Sequence, residues 1–192
     1  FRAADCAFEN GKTSAGYGAG LFVASERCNI ELSFCRFRNN DNCGLIIAWN
    51  AYNNPTTYPY GVNIIGCEFF NNGSDGCHIS NTYAVTDYKF IVNVVLTGCR
   101  SYFNAGCGFV FGNYLQDNIS ANHDYGPNSP EVAGLVCSGN SATANGNYGI
   151  SCSAHYSAVS GCVLTGNASG GLLLNGSYCV AANNLISGNT AF

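Results

Sequence analysis

The chain has 192 residues and a formal net charge of −4, and only 9% of its residues are charged, well below the usual quarter. This acidic balance lacks the clustered Lys and Arg of nucleic-acid-binding proteins, so we expect no nucleic-acid partner. No apolar run approaches the ~18 residues that a membrane span needs, and a hydrophobic content of 47% excludes a disordered chain.

A fixed register repeats along the chain. Five times, a Cys or Asn is followed by Asn five residues later and by a Gly nine residues later that opens an apolar triplet. We call the first residue position zero; it falls at Cys6, Cys35, Cys67, Cys99, Asn140, Cys162 and Asn184. Such a register is the signature of a solenoid. We therefore predict about seven coils in a single domain, residues 1–192, and expect it to be a segment of a longer chain.

Alternating apolar residues give each coil three inward faces. In the second coil, Cys35 and Phe37 point inward. Leu45 and Ile47, which follow the Gly, form a second inward group, and the apolar residues just before position zero form the third. The pattern predicts an all-β, right-handed, three-faced parallel β-helix with loop insertions between the early coils. A column of Asn lies at the turn between the first two strands of each coil: Asn40, Asn72, Asn104, Asn145, Asn167 and Asn189. Asn tolerates left-handed backbone, and stacked amides can hydrogen-bond along the axis.

Five of the twelve cysteines share position zero. Stacked at about 4.8 Å with parallel side-chain directions, they fit disulfide geometry poorly. We therefore expect a reduced ladder of buried thiols and folding in a reducing compartment. Because there is no CxxC and no Cys/His ligand spacing, we expect neither a metal site nor a cofactor.

Three insertions follow the second strand of successive coils, at about Trp49–Gly61, Asn81–Phe90 and Asn113–Glu131. Leaving the same corner of adjacent coils, they should lie beside one another. Aromatic planes beside carboxylates and amides suit sugar rings, so we expect a polysaccharide site. Its predicted substrate-binding residues are Trp49, Tyr52, Tyr58, Tyr60, Tyr83, Tyr88, Tyr114 and Tyr125. The alternative is that these aromatics pack the loops onto the helix or onto another subunit.

Glycoside hydrolysis needs two carboxyl groups roughly 5–9.5 Å apart, a spacing that neighbouring coils provide. The candidate catalytic residues are Asp87 on one insertion and Asp117 or Asp124 on the next, with His123 beside Asp124 as an orienting or proton-transferring partner. The segment Asp124–Asn128 is equally typical of a turn.

Outward charges on the first strand alternate as Arg36, Glu68 and Arg100, which predicts an ion-pair ladder along the surface. His78 is expected to be a surface histidine. No charged residue follows Glu131, and Val163, Leu173, Val180 and Leu185 take outward positions. An uncharged, apolar face on an exposed solenoid favours burial against another subunit.

The Cys-x-Phe-x-Asn-Asn…Gly pattern, seen from Cys35 to Gly44 and from Cys67 to Gly76, resembles the repeats of right-handed β-helices in the pectate-lyase-like superfamily. That superfamily includes pectinases, alginate epimerases and lyases, and bacteriophage tailspikes, and the resemblance covers nearly the whole chain. Tailspike-like proteins are parallel homotrimers, so the resemblance implies a homotrimer here.

The leading expectation is a segment of a phage tailspike or fibre that binds host surface polysaccharide, located in the virion tail or outside the cell after assembly in the host cytoplasm. Whether it also depolymerises the glycan, as a hydrolase or lyase, is left open. The alternatives are a monomeric bacterial polysaccharide lyase, hydrolase or epimerase, and a non-catalytic structural or adhesive solenoid.

Overall fold

The structure is a computed structural model that describes residues 1–13, 18–24, 29–49, 60–81, 91–112 and 132–190. Within these ranges the chain forms 21 short β-strands. No helix long and apolar enough to cross a membrane occurs in the described residues.

The strands form three parallel sheets, each running the length of the molecule. Sheet A contains, in order, β1 (Arg2–Ala4), β4 (Ile30–Ser33), β7 (Tyr60–Ile65), β10 (Ile91–Thr97), β14 (Val136–Ser138), β17 (Ala158–Ser160) and β20 (Val180–Ala182), and β13 (Val132–Ala133) also pairs with β10. Sheet B contains β2 (Ala7–Glu9), β5 (Arg36–Arg38), β8 (Glu68–Phe70), β11 (Arg100–Tyr102), β15 (Ser141–Thr143), β18 (Val163–Thr165) and β21 (Leu185–Ser187). Sheet C contains β3 (Leu21–Ala24), β6 (Leu45–Trp49), β9 (Cys77–Asn81), β12 (Phe109–Phe111), β16 (Tyr148–Cys152) and β19 (Gly170–Leu174).

Apart from β13 and β14, which follow each other in sheet A, successive strands visit the three sheets in turn, so each full coil contributes to every sheet. Neighbours within a sheet come from neighbouring coils in parallel register, for example Arg36 opposite Glu68 and Glu68 opposite Arg100. This confirms the predicted three-faced parallel β-helix of about seven coils. The right-handed winding and the single-domain boundary stay predictions.

The core is built from the inward positions of all three sheets. Phe37 and Phe69 are fully buried, and the rings of Phe8, Phe37 and Phe69 stack with centroids 4.9 and 4.8 Å apart. Burying a phenylalanine side chain of this kind stabilises the fold by about 1.5–3 kcal/mol. Eleven cysteines in the described residues are free and nine of them are buried; of the five cysteines at position zero, only Cys6 is exposed.

A continuous amide ladder occupies the corner between sheets B and C. The side chain of Asn72 is typical: its Oδ1 accepts from the Asn40 backbone N–H at 3.3 Å and from Asn40 Nδ2 at 2.8 Å. Its Nδ2 donates to Asn104 Oδ1 at 2.8 Å and to the carbonyl of Phe37 at 3.1 Å. Because Asn72 is only 2% exposed, these bonds replace water for every group they join.

One detail of the prediction was wrong. The left-handed residue at this corner is the one before the ladder Asn, for example Asn39 (φ 56°) and Asn71 (φ 54°), both exposed. The preceding residue turns the chain, which leaves the ladder amide directed into the interior.

Each of the three corners has its own column of left-handed residues. At the A–B corner they are Asp5, Phe34, Gly66, Gly98, Gly139, Gly161 and Asn183. At the B–C corner they are Asn10, Asn39, Asn71, Phe103, Ala144, Gly166 and Gly188. The third column lies six residues before position zero, next to the C–A corner, at Gly61, Asn93, Gly134, Tyr156 and Tyr178; Gly61 and Asn93 lie inside strands β7 and β10. Gly and Asn fill most of these positions because they adopt this backbone at little cost.

The Gly nine residues after position zero is needed for a different reason. A Cβ on Gly44 would lie 2.6 Å from the carbonyl oxygen of Gly76 and 2.9 Å from Asn72 Nδ2. Gly108 is equivalent, with the Gly149 carbonyl at 2.6 Å. The coils therefore approach too closely beside the amide ladder for any side chain, which explains the Asn-then-Gly motif.

Candidate functional site

The three insertions leave from the same corner of the helix, as predicted. Their preceding strands β6, β9 and β12 are neighbours in sheet C, with Trp49 paired opposite Asn81 at the strand ends. The strands that follow the first two insertions, β7 and β10, pair in sheet A with Tyr60 opposite Val92. The backbone positions that bracket the insertions therefore stack along the C–A corner.

Most of the predicted site residues lie within the insertions and outside the described residues. They are Asp87, Asp117, His123, Asp124, Tyr52, Tyr58, Tyr83, Tyr88, Tyr114 and Tyr125. Trp49 closes strand β6 and Tyr60 opens strand β7, so these two lie at the corner itself. The binding and catalytic roles of all twelve residues stay predictions.

The same C–A corner carries an exposed aromatic pair in the later coils, which the sequence analysis did not single out. Tyr156 lies between β16 and β17, and Tyr178 lies at the equivalent point one coil on, between β19 and β20. Their rings stack with centroids 5.0 Å apart and planes within 4°. The two residues are 64% and 77% exposed, so the stacked rings face solvent.

Both tyrosines have left-handed backbone, with φ of 52° for Tyr156 and 59° for Tyr178. A bulky side chain with this backbone is a conformational outlier that costs about 1 kcal/mol or more. Earlier coils place Gly or Asn at this corner, so the fold itself does not require aromatic residues there. The same combination of an exposed ring and left-handed backbone occurs at Phe34 and Phe103 on the other two corners.

Polar groups flank the tyrosine pair. His155 Nδ1 accepts a hydrogen bond from the Ser177 backbone N–H at 3.3 Å, which orients the imidazole ring across two coils. The backbone N–H of Tyr156 in turn donates to the Ser177 carbonyl at 3.0 Å, and Asn175 is exposed on the same turn. The turn thus combines flat apolar rings with an imidazole and an amide, the groups that bind a sugar's C–H face and its hydroxyls.

A second exposed surface lies at the B–C corner. An open groove there is lined by Thr13, Asn39, Asn40, Asp41, Asn71, Asn72, Gly73, Phe103 and Ala105. Phe103 is 63% exposed and also left-handed, with φ of 55°. Phe103 therefore shares its exposure and its left-handed backbone with the tyrosine pair but lies on a different corner, which makes it a suitable control residue.

Three chemically reactive side chains also converge near the B–C corner. Donor atoms of Cys43, Asp75 and His78 all lie within 4.8 Å of one another. His78 Nδ1 and Asp75 Oδ2 are 2.9 Å apart, and Asp75 Oδ1 accepts from the backbone N–H of Cys107 at 2.7 Å. Burial alone would lower the pKa of His78, but its hydrogen bonds to Asp75 and Cys43 outweigh this effect and raise the pKa to about 9.

His78 does point outward on sheet C, as expected, but it is a bonded member of this cluster and its side chain is only 25% exposed. The sequence analysis missed the cluster because its residues come from two coils and have no ligand spacing along the chain. Aligning the coils would have shown that Cys43 and Asp75 occupy the same position, eight residues after Cys35 and Cys67.

The predicted ion-pair ladder on sheet B is confirmed. Glu68 lies between Arg36, 4.0 Å away, and Arg100, 3.8 Å away, and both arginine side chains are more than 60% exposed. Pairs this exposed contribute little free energy. The ladder therefore belongs to the solvated surface rather than to a candidate site.

Comparisons of the chain with protein-family profiles, with curated proteins and with solved structures found no match. The fold is assigned from the sheet order and register, and function has to be inferred from the surface chemistry.

Proposed function

We propose that this chain is a β-helical segment of a viral tailspike or fibre and that it binds host surface polysaccharide along its C–A corner. The observation that carries the proposal is the exposed, stacked pair Tyr156 and Tyr178. It lies on the same corner from which the aromatic-rich insertions emerge. The assignment to tailspikes rests on the repeat resemblance, and the assignment to a glycan rests on the surface chemistry.

An extended glycan running parallel to the helix axis would meet this corner coil after coil. Because the two rings cover each other's facing sides, its sugars would contact the ring edges and the one free face of each ring, and its hydroxyls would bond to flanking groups such as His155 and Asn175. Further along the same corner it would meet the ends of β6 and β9, where the first two insertions begin, and Trp49, Tyr60 and the insertion tyrosines are proposed as further binding residues.

Depolymerisation is proposed as the activity of the insertions. Carboxylates on neighbouring coils are separated by about the strand spacing of 4.8 Å or a small multiple of it, which covers the separations used by glycosidases. Asp87, Asp117 and Asp124 are the proposed carboxylates, with His123 beside them.

The proposed partner, besides the glycan, is the chain itself in a homotrimer. Support comes from apolar residues exposed on the outward faces of the last two coils: Val163 is 39% exposed, Val180 61% and Leu185 58%. In an assembly these side chains would be covered. The proposed location is the tail of the virion.

Binding is tested by titrating capsular and O-antigen polysaccharides into the protein and following tyrosine and tryptophan fluorescence. We expect Tyr156→Ala and Tyr178→Ala each to weaken binding about tenfold, because the contact between a ligand ring and an aromatic side chain contributes about 1–1.5 kcal/mol to binding. Phe103→Ala, on the B–C corner, should leave binding unchanged.

Unchanged affinity in both tyrosine variants, or a loss confined to Phe103→Ala, would refute the C–A assignment. Size-exclusion chromatography with light scattering on the same glycans then tests cleavage against an Asp87→Asn/Asp124→Asn double variant. A monomer that shortens the glycan would favour the bacterial enzyme, and binding by a monomer without shortening would favour an adhesive solenoid.

A further inference from the structure

The cluster of Cys43, Asp75 and His78 arises from the stacking of coils two and three. Cys43 and Asp75 are the turn residues that precede Gly44 and Gly76 in successive coils, so they are neighbours along the axis. His78 follows Asp75 by three residues and faces outward from strand β9. The B–C turn and the start of sheet C thus bring a thiol, a carboxylate and an imidazole together.

The distances suit a shared cation. In tetrahedral zinc sites the metal lies about 2.3 Å from sulfur and 2.0–2.2 Å from nitrogen or oxygen, which puts the ligand atoms roughly 3.3–3.6 Å apart. The three donor atoms here lie within 4.8 Å of one another, and His78 Nδ1 and Asp75 Oδ2 are 2.9 Å apart. Movements of about an ångström would bring all three onto one ion.

The cluster is buried on the side that faces the protein interior and open on the side that faces solvent. Cys43 is 4% exposed, while the side chains of Asp75 and His78 are 15% and 25% exposed. Asp75 is held in place by the Cys107 backbone N–H, which binds the oxygen that does not contact His78. An ion seated here would have a buried thiolate behind it and a free coordination position toward solvent.

From this geometry we infer that Cys43, Asp75 and His78 form a binding site for a zinc-class divalent cation. The mixed sulfur, nitrogen and oxygen donor set favours zinc over magnesium or calcium, which prefer oxygen ligands alone. Three protein ligands with a fourth position left to water form an open site, able to hold a further ligand. This site lies at the B–C corner, so it is independent of the glycan surface proposed above.

Cobalt(II) is the probe for the experiment, because a thiolate ligand gives a charge-transfer band and a tetrahedral site gives intense visible bands. The full chain is stripped of metal with EDTA under reducing conditions and titrated with Co²⁺, and Zn²⁺ is then added to displace it. We expect one Co²⁺ per chain with both signals. Zn²⁺ should also raise Tm, because a ligand that binds the native state stabilises it.

The matched control is Cys179→Ser, which removes a partly exposed thiol outside the cluster. It should bind Co²⁺ like the wild type, whereas Cys43→Ser should lose the charge-transfer band and His78→Gln should weaken binding at least tenfold. Persistence of the band in Cys43→Ser, or the absence of any band in the wild type, would overturn the inference. If Cys43→Ser does not fold, His78→Gln decides: wild-type affinity and the same Zn²⁺-induced rise in Tm would overturn it equally.

Discussion

The amide ladder gives the sharpest test of what holds the coils together. Replacing Asn72 by Ala removes the acceptor of the Asn40 backbone N–H and of one Asn40 amide hydrogen, and it removes the donor to the Phe37 carbonyl. These groups are buried, and each unsatisfied one costs about 1–3 kcal/mol. Allowing for partial relaxation around the smaller side chain, we expect a loss of about 3–5 kcal/mol in the free energy of unfolding.

Urea unfolding followed by far-ultraviolet circular dichroism measures this loss, provided that the m value is unchanged. The control is Asn71→Gly at the preceding position, where the side chain is exposed and φ is 54°. Since Gly prefers this backbone, that variant should stay within about 0.5 kcal/mol of the wild type or be slightly more stable. A loss below about 1 kcal/mol for Asn72→Ala would refute the reasoning, because the hydrogen bonds of the ladder would then contribute little to the free energy of unfolding.

Three other measurements follow from the geometry. Gly108→Ala should destabilise the fold by about 1–3 kcal/mol in urea, because the new Cβ would lie 2.6 Å from a carbonyl oxygen of the next coil. His78 has a folded pKa of about 9, above the unfolded value near 6.5, so the stability it contributes with Asp75 is complete below about pH 6.5 and is lost as pH rises to about 9. In EDTA, the wild type should therefore lose its advantage in free energy of unfolding over His78→Gln between about pH 6.5 and pH 9, by at most about 3 kcal/mol. An advantage that stays constant with pH would contradict this prediction. Glu68→Gln should cost less than about 1 kcal/mol and become neutral in high salt, since its two arginine partners are exposed.

The sequence predicted the repeating part of this molecule well, because the same local interactions recur in every coil. Inward residues such as Phe37 recur two places after position zero, and ladder Asn residues such as Asn40 are followed four residues later by a Gly, so period and register could be read directly. The left-handed turn was assigned one residue late, because both Asn39 and Asn40 suit a turn and only the hydrogen bonds distinguish them.

The surface sites were harder to predict because they lie where the repeat is interrupted or where two coils meet. Tyr156 and Tyr178 are in turns without a fixed motif, and their stacking depends on the register of sheets A and C on either side. The cluster at His78 needs residues separated by a whole coil. Predicting such sites requires the coils to be aligned first and their outward positions compared column by column.

The parallel sheets also determine how the molecule would carry a mechanical load. All the strand-to-strand hydrogen bonds run along the helix axis, so a pull on the ends loads every bond between two coils at once, together with one rung of amides. The coil boundaries themselves are in series, and the weakest one yields first.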